Sequence, residues 1–381
     1  MIRTFSIMFG LLSFLLLANI CMADVSLNQM KADTGLTEQQ MATVLQKPLT
    51  INQVLEDSIK TNSGGRFLQD VNLHFKTFTT DDGKSSVGVS YDFQKNIKKM
   101  IPTGSSTKAR GMSISVKAEG NISFNPDVNP KDFLDTNLSL HYFWTYGGGI
   151  KTDDALKTKL NDLSSVIATK GSKDIQSSKE FKEFSKIMND NISPFYYLDA
   201  SFVGGLESNQ KFTSKQYYYG AQAGIDVKSW SSQSALNYYN IVDVPFAVIR
   251  YFSGADADFT PRGLFPTVQI GIDMVNPESG VVVSPSGNKD NFGRFRTEVA
   301  FRTPLGDLTK DLSAFFQADY RYYLAINPPI TVKQNNLDKV QYFSGAIQLT
   351  NGMYVSYTLG KLPLDLKSDQ VYELGFAYNF K

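Results

Sequence analysis

The sequence predicts an all-β fold in which about twelve antiparallel strands close into an up-and-down barrel that crosses a membrane. Three observations support this prediction. Apolar and polar residues alternate along many segments, turn sequences separate these segments, and the final segment carries aromatic and apolar side chains on one face only. Beyond residue 23 there is no run of about 18 apolar residues, which excludes a helical membrane span from that part of the chain.

The first two predicted strands form a hairpin. Alternation runs over 68–79 and resumes over 87–93 after the turn at 81–84. The longest regular alternation covers 112–124, more than the roughly 9 to 11 residues that a tilted strand needs to cross a bilayer. Further strands are predicted at 138–146, 196–206, 216–227, 267–275, 294–303, 314–324, 339–349, 353–359 and 371–381. An even number of strands is typical of single-chain bacterial barrels.

The closing segment, 371–381, contains a spaced pattern of polar residue, glycine and two apolar residues. Its members are Glu373, Gly375, Tyr378 and Phe380. This spacing resembles the C-terminal assembly signal of bacterial outer-membrane β-barrels, although the chain ends on Lys381 and not on the aromatic residue. The resemblance implies a Gram-negative outer membrane as the location, with outer-membrane lipids and the barrel-assembly machinery as partners.

The first 23 residues have the layout of a secretory signal peptide. Arg3 precedes an apolar run, and small residues precede Asp24, where the mature chain would begin. Cys21 could instead be the acylated cysteine of a lipoprotein, but Asn19 and Ile20 are bulky where small residues are expected. Cleavage before Asp24 would leave no cysteine, which suits an oxidising envelope compartment.

Residues 24–66 form a separate N-terminal segment before the barrel at 67–381. Two capping-box patterns, at 37–40 and 50–53, predict two short helices. These helices could enter the lumen as a plug or lie beneath the barrel as a periplasmic segment.

A helical insertion is predicted at about 151–192. Apolar residues recur there at helix spacing on both sides of Gly171 and Ser172, which indicates a helical hairpin. It could be a plug or gate, a docking surface for a protein partner, or a cap that shields one rim. The segment 229–262 is ambiguous, because its apolar residues fit a helix while 246–252 could hide an odd strand. Pro245 argues against a central strand there.

Strand parity predicts which connections share an end of the barrel. If the last strand ends in the periplasm, the tight Asn351-Gly352 turn lies there too, with the insertions at 147–193 and 229–262. The loops at 276–291 and 326–336 then face outward. An odd strand within 229–262 would reverse this assignment for everything upstream.

Charged residues alternate on the polar faces of three predicted strands and are expected to face the lumen. They could set the ion preference of a narrow pore, or they could pair across strands and fill the wall with hydrogen bonds. The candidate selectivity residues are Arg294, Arg296, Glu298, Arg302, Asp319, Arg321, Lys117 and Glu119.

An enzymatic site has weak support in the sequence. Ser139 and His141 share a strand face, but Ser-x-His needs a third orienting residue, and the sequence does not identify one. His74 is expected to be a lumen side chain. No metal-ligand spacing or cofactor fingerprint occurs, so no cofactor is expected. The net charge of +1 and the absence of a basic cluster argue against a nucleic-acid partner.

Taken together, these patterns predict a channel or uptake porin that passes small polar or charged solutes through a narrow lumen, which the N-terminal segment or the helical insertion could plug. Twelve strands lie between barrels filled by side chains, with about eight, and open porins, with about sixteen. The alternatives are a structural barrel that binds a partner through its helical insertion, and a membrane-embedded lipase or esterase. A secreted β-sandwich would also show alternating strands.

Overall fold

The computed structural model describes residues 71–80, 83–101, 103, 107–125, 132–148, 154–168, 178–191, 193–229, 235–256, 259, 261, 264–283, 287, 289–309, 312–366 and 369–379. The expected signal peptide, the N-terminal segment with its two helices and Phe380 lie outside these residues.

Twelve antiparallel strands form one closed ring in which each strand pairs with its sequence neighbours and β1 pairs with β12. The prediction of an all-β up-and-down barrel is confirmed. The strands are β1 (Val71–Thr80), β2 (Ser85–Ile101), β3 (Lys108–Ser123), β4 (Leu134–Gly147), β5 (Phe195–Ser208), β6 (Lys215–Lys228), β7 (Thr267–Ser279), β8 (Phe292–Thr309), β9 (Leu312–Ile326), β10 (Lys339–Leu349), β11 (Met353–Gly360) and β12 (Asp369–Asn379).

The two faces of the barrel differ as the alternation predicts. On β3, Met112 is 55% exposed on the outside, whereas Ser115 on the inside is 3% exposed. The same contrast recurs around the ring, with Leu138, Phe202 and Ile272 outside. Apolar side chains in such a continuous outer band would be costly in water and are favourable in lipid.

Closure brings residues from the two ends of the described chain together. Phe75 pairs with Phe376 on the outer face, and inside the barrel the Lys76 ammonium lies 3.3 Å from the Glu373 carboxylate. Gly375 leaves room for the Tyr354 ring, because a Cβ at position 375 would lie 2.5 Å from Tyr354 Cζ. The backbone of Tyr378 pairs with Leu73, but its side chain lies outside the described part of the structure.

The connections fall at two ends, which we name the terminal end and the loop end. The terminal end is where β1 begins and β12 ends, and it also holds the connections 148–194, 229–266 and 350–352. The loop end holds the connections 209–214, 280–291, 327–338 and 361–368, among others.

An apolar cluster that we call the loop-end seal fills the mouth of the barrel at the loop end. Val282 from a 3-10 turn, Val332 from the short helix α4 (Ile330–Gln334) and Leu364 pack against lumen-facing residues of the strands. Those strand residues are Val203, Tyr218, Val275, Phe292 and Val340. The seal therefore combines lumen-facing strand residues with loop residues that reach inward.

The predicted helical hairpin consists of α1 (Asp154–Ala168) and α2 (Lys179–Asn191). Leu160 and Phe184 form its buried core, and Lys159 and Glu183 make an ion pair of 2.8 Å on its surface. The hairpin lies in a connection at the terminal end. Among the described residues, no helix combines the length and the apolar character needed to cross a bilayer.

The ambiguous segment 229–262 adds no strand within its described residues. It contains 3-10 turns at Ala235–Tyr239 and Ile241–Asp243, followed by the helix α3 (Val244–Phe252). Pro245 lies in the first turn of α3, where its missing N–H has no helical partner to lose. The strand alternative for 246–252 is therefore wrong, and the count of twelve and the parity both hold.

Candidate functional site in the barrel lumen

Below the loop-end seal, the lumen contains a polar cavity of about 250 Å³. Side chains from strands β2 to β9 contribute to its wall. Three basic residues, Lys117, Arg296 and Arg321, and four acidic residues line it, together with uncharged polar groups. The acidic residues are Glu119, Asp135, Glu207 and Glu298.

Arg321 on β9 and Glu119 on β3 form an ion pair across the lumen. We call this pair the cross-lumen bridge. Lys117 lies 2.8 Å from Glu119, and Asp319 lies 3.1 Å from Arg321, so each partner has a second opposite charge. The bridge forms part of the cavity wall and crosses the interior that the strands enclose.

A second group of charges lies between the bridge and the loop-end seal. Arg294 donates to Glu207 at 2.8 Å and to Asp273 at 3.1 Å, and all three side chains are buried. The Arg294 guanidinium also lies about 5 Å from the ring centres of Tyr218 and Tyr323. Buried charges need opposite charges nearby, so this group has a structural role under the seal, although Asp273 Oδ1 is buried without a hydrogen-bond partner among the described residues.

The remaining candidate residues have looser surroundings. Arg296 donates to Gln222 at 2.8 Å and lies 3.5 Å from Asp273. Glu298 has one longer contact, 3.9 Å to Arg321. Arg302 faces inward near the terminal end, but it is exposed, stacks on Phe315 and does not line the cavity. Five of the eight candidate residues thus line the cavity, and Asp319 contacts one of them. Arg294 belongs to the second group, and Arg302 lies apart.

Ser139, His141 and Asp199 form a hydrogen-bonded chain at the cavity. The Ser139 hydroxyl lies 2.7 Å from His141 Nε2, and His141 Nδ1 lies 3.1 Å from an oxygen of Asp199. This is the connectivity of a nucleophile, a base and an orienting carboxylate. Asp199 is the third residue that the sequence did not identify.

The register between β4 and β5 brings Asp199 next to His141. His141 pairs with Ser201 across the β4–β5 ladder, so Asp199 is its diagonal neighbour and lies within side-chain reach. The sequence does place Asp199 on the polar face of the predicted strand 196–206, and this position was the one sign that its side chain faces the lumen. Glu207 and Asp273 were missed in the same way, as isolated acids on the polar faces of otherwise apolar strands.

His74 belongs to neither group. It faces the lumen on β1 and makes an edge contact with the Tyr354 ring at 5.6 Å. Within the described ranges, no group of three or more His, Cys, Asp or Glu side chains is arranged to hold a metal ion.

No family model and no curated protein matches the chain. Among solved structures, the NanC porin is 11% identical with a TM-score of 0.31, over 81% of this chain and 99% of that chain. The transport unit of the autotransporter AIDA-I from Escherichia coli is 8% identical with a TM-score of 0.27, over 90% and 96%. A loop-deletion mutant of OmpT from Vibrio cholerae is 8% identical with a TM-score of 0.27, over 81% and 97%.

These similarities are too weak to assign a role, so the assignment depends on the architecture. A closed ring of twelve antiparallel strands has an apolar exterior, a charged interior and no free sheet edge. The described chain therefore has the fold and the surface polarity of a membrane-spanning β-barrel.

Proposed function

We propose that this protein is an outer-membrane channel for small polar or charged solutes and that the structure is its closed state. The observation that carries the proposal is the charge-lined cavity of about 250 Å³ beneath an apolar seal. A cavity of this size and polarity suits a small hydrated solute. The seal is an apolar constriction, which can block a pore by excluding water.

The composition of the seal supports a gate. Val282, Val332 and Leu364 come from loop-end connections, and loops move at lower cost than strands held in a closed ladder. Displacing these three side chains would remove the loop part of the seal without breaking the barrel. A solute would then meet the strand residues of the seal and the Arg294 group before it reaches the cross-lumen bridge.

Conductance in planar bilayers tests this proposal. Leu364 is 6% exposed in the seal, whereas Leu366, two residues away, is 56% exposed. Leu364→Ser should raise the single-channel conductance or the open probability, because it puts a hydroxyl into the apolar constriction. Leu366→Ser is the matched control and should behave as the unchanged protein. Equal, negligible currents in all three proteins at every voltage would argue against a channel.

Localisation follows the same proposal. The signal peptide at 1–23 would direct export, and Glu373, Gly375, Tyr378 and Phe380 would present the assembly signal to the barrel-assembly machinery. The terminal end would then face the periplasm, where the α1–α2 hairpin would be available to a protein partner. Deleting residues 154–191 should abolish any such complex and leave the barrel folded.

A second candidate function is ester hydrolysis at Ser139. The Ser139–His141–Asp199 chain favours it, since the hydroxyl can pass its proton to His141 Nε2 while Asp199 orients the ring. Ser139 Oγ would bond to the carbonyl carbon of a small ester, and His141 would return the proton to the departing alcohol. Water would then release the acid and restore Ser139. Arg296 lines the same cavity and is a cation available to the negatively charged intermediate.

Labelling with a fluorophosphonate probe tests the second candidate. Modification should be found on Ser139 and should disappear in His141→Ala. Ser115 pairs with Ser139 across the β3–β4 ladder and lines the same cavity, so Ser115→Ala is the matched control and should label normally. Labelling that is absent, or that persists in His141→Ala, would exclude this activity.

A further inference from the structure

The segment 235–252, which we name the rim segment, packs against the outside of the barrel. The ring of Phe246 stacks on Phe316 at 4.7 Å and lies 5.7 Å from Phe301. Both partners belong to the outward rows of β9 and β8, because the register aligns Phe301 with Ala318 on the face that also carries Tyr320. Phe301 therefore contacts the rim segment.

A buried arginine fixes the rim segment to the barrel wall. Arg250 is 2% exposed and makes ion pairs with Asp243 at 2.7 Å and Asp256 at 2.8 Å. It also donates to the Thr303 hydroxyl at 3.0 Å and to the carbonyl of Pro304 at 2.9 Å. These contacts join α3 to β8 through directional bonds, so the segment has a defined orientation on the wall.

The face of the rim segment that points away from the barrel is apolar and aromatic. Tyr239 and Ile241 are each 76% exposed, and Phe252 is 81% exposed. Tyr238, Val242, Ile249 and Tyr251 are also exposed on this segment. Such a contiguous apolar surface is unfavourable in water and marks a contact with lipid or protein.

The position of this surface identifies lipid as the contact. The rim segment belongs to the 229–266 connection, so it lies at the terminal end and continues the outward apolar rows of β7 to β9. Exposed Ile270 and Ile272 belong to the same outer surface. Tyrosines beside aliphatic residues at the edge of a lipid-facing band are typical of the membrane interface.

We propose that the rim segment lies in the headgroup–acyl boundary of the leaflet at the terminal end and fixes the depth of the barrel in the bilayer. The Arg250 contacts orient the segment, and its exposed aromatic and aliphatic side chains enter the leaflet. This inference depends on the barrel architecture and is independent of channel or hydrolase activity.

Depth-dependent fluorescence quenching tests the proposal. Phe252→Cys, in a Cys21→Ser background, is labelled with bimane and reconstituted into phosphatidylcholine vesicles that carry bromine at shallow or deep acyl positions. Phe202→Cys serves as the reference for a position deep in the acyl region of the bilayer, because Phe202 is 72% exposed on the outside of β5. Lys186→Cys, exposed on α2, serves as the aqueous reference.

Bimane on Phe252→Cys should be quenched strongly by shallow bromines and more weakly by deep ones. Bimane on Phe202→Cys should show the reverse order, and bimane on Lys186→Cys should not be quenched. Absence of quenching of the bimane on Phe252→Cys would overturn the proposal. Quenching as low as at the aqueous reference, together with a disulfide between two copies of unlabelled Phe252→Cys, would also overturn it, because it would indicate that a second copy of the chain covers the segment. Heat-modifiable gel migration verifies that each variant is folded.

Discussion

Arg321 and Glu119 meet in the middle of the lumen although their strands, β9 and β3, are six positions apart in either direction around the ring of twelve. They are separated by 202 positions along the chain. An ion pair between opposite walls braces the barrel and reduces the open cross-section at the same level. In the proposed channel, one contact would therefore affect both the stability of the barrel and the passage of solutes.

Glu119→Ala should destabilise the barrel, because it leaves Arg321 and Lys117 without their shared carboxylate. We expect a loss of about 3 kcal/mol, near the lower end for buried pairs, because water still reaches both side chains of the bridge. Urea unfolding in detergent measures the loss. The double variant Glu119→Ala/Arg321→Ala should lose clearly less unfolding free energy than the sum of the losses in the two single variants. A loss equal to that sum would contradict the bridge.

Charge changes at the cavity wall should alter ion preference in the open state. In the Leu364→Ser background, Glu298→Gln should shift the reversal potential in a salt gradient toward anions, and Arg296→Ala should shift it toward cations. Glu298 is suited to this test because its ion pair with Arg321 is long, at 3.9 Å. Arg302→Ala is the control, since Arg302 does not line the cavity. Identical reversal potentials in all variants would place the ion path elsewhere.

Gly375→Ala should weaken the closing seam, because the added Cβ meets the Tyr354 ring. Overpacking of this kind costs about 1 to 3 kcal/mol. Gly204→Ala is a matched glycine substitution in β5 whose Cβ would have an ordinary contact distance of 3.7 Å, and it should be neutral. The two variants are compared by the temperature at which each loses the gel migration of the folded barrel. In a Tyr354→Ser background, which removes the ring, Gly375→Ala should no longer cost stability, and an equal cost in both backgrounds would reject the steric explanation.

Arg250→Ala should release the rim segment and destabilise it by about 3 to 5 kcal/mol, because Asp243 would be left buried without this partner. Limited proteolysis between residues 235 and 256 should become faster. Arg110, exposed on β3, gives the control Arg110→Ala, for which no change is expected. Unchanged cleavage in the Arg250 variant would show that stacking of Phe246 alone holds the segment.

The Arg250 contacts should not depend on pH in the alkaline direction. Burial lowers the pKa of Arg250, but hydrogen bonds and charges from Asp243 and Asp256 outweigh it and raise the pKa above its ordinary value. A raised pKa on a base adds stability that is lost only as pH rises through the folded-state pKa, beyond ordinary assay conditions. Proteolysis rates at pH 7 and pH 10 should therefore agree once protease activity is normalised.

The strands were predictable because lipid and lumen impose opposite polarities on neighbouring side chains. Met112 and Ser113, adjacent in sequence, face lipid and lumen respectively, and that contrast is visible without coordinates. The helix at Val244–Phe252 was only half predictable: Pro245 argued against a strand but did not reveal that the helix packs on the outer wall.

Contacts that depend on closure were not predictable. The alternation places Glu119 and Arg321 on inner faces, but only the size and shape of the ring bring them together. The same holds for Asp199 and His141, whose contact depends on the β4–β5 register. Val282 and Leu364 lie in loops without periodicity, so their entry into the lumen left no pattern in the sequence.

The pairing of β1 with β12 also has a consequence for biogenesis. Lys76 and Glu373 are 297 positions apart, so the first strand has no permanent neighbour on one side until the last has been synthesised and delivered. A prematurely terminated polypeptide would keep two unsatisfied edges, which invite aggregation and degradation. Closure of the ring therefore requires both β1 and β12, and a polypeptide that lacks either strand cannot satisfy every edge.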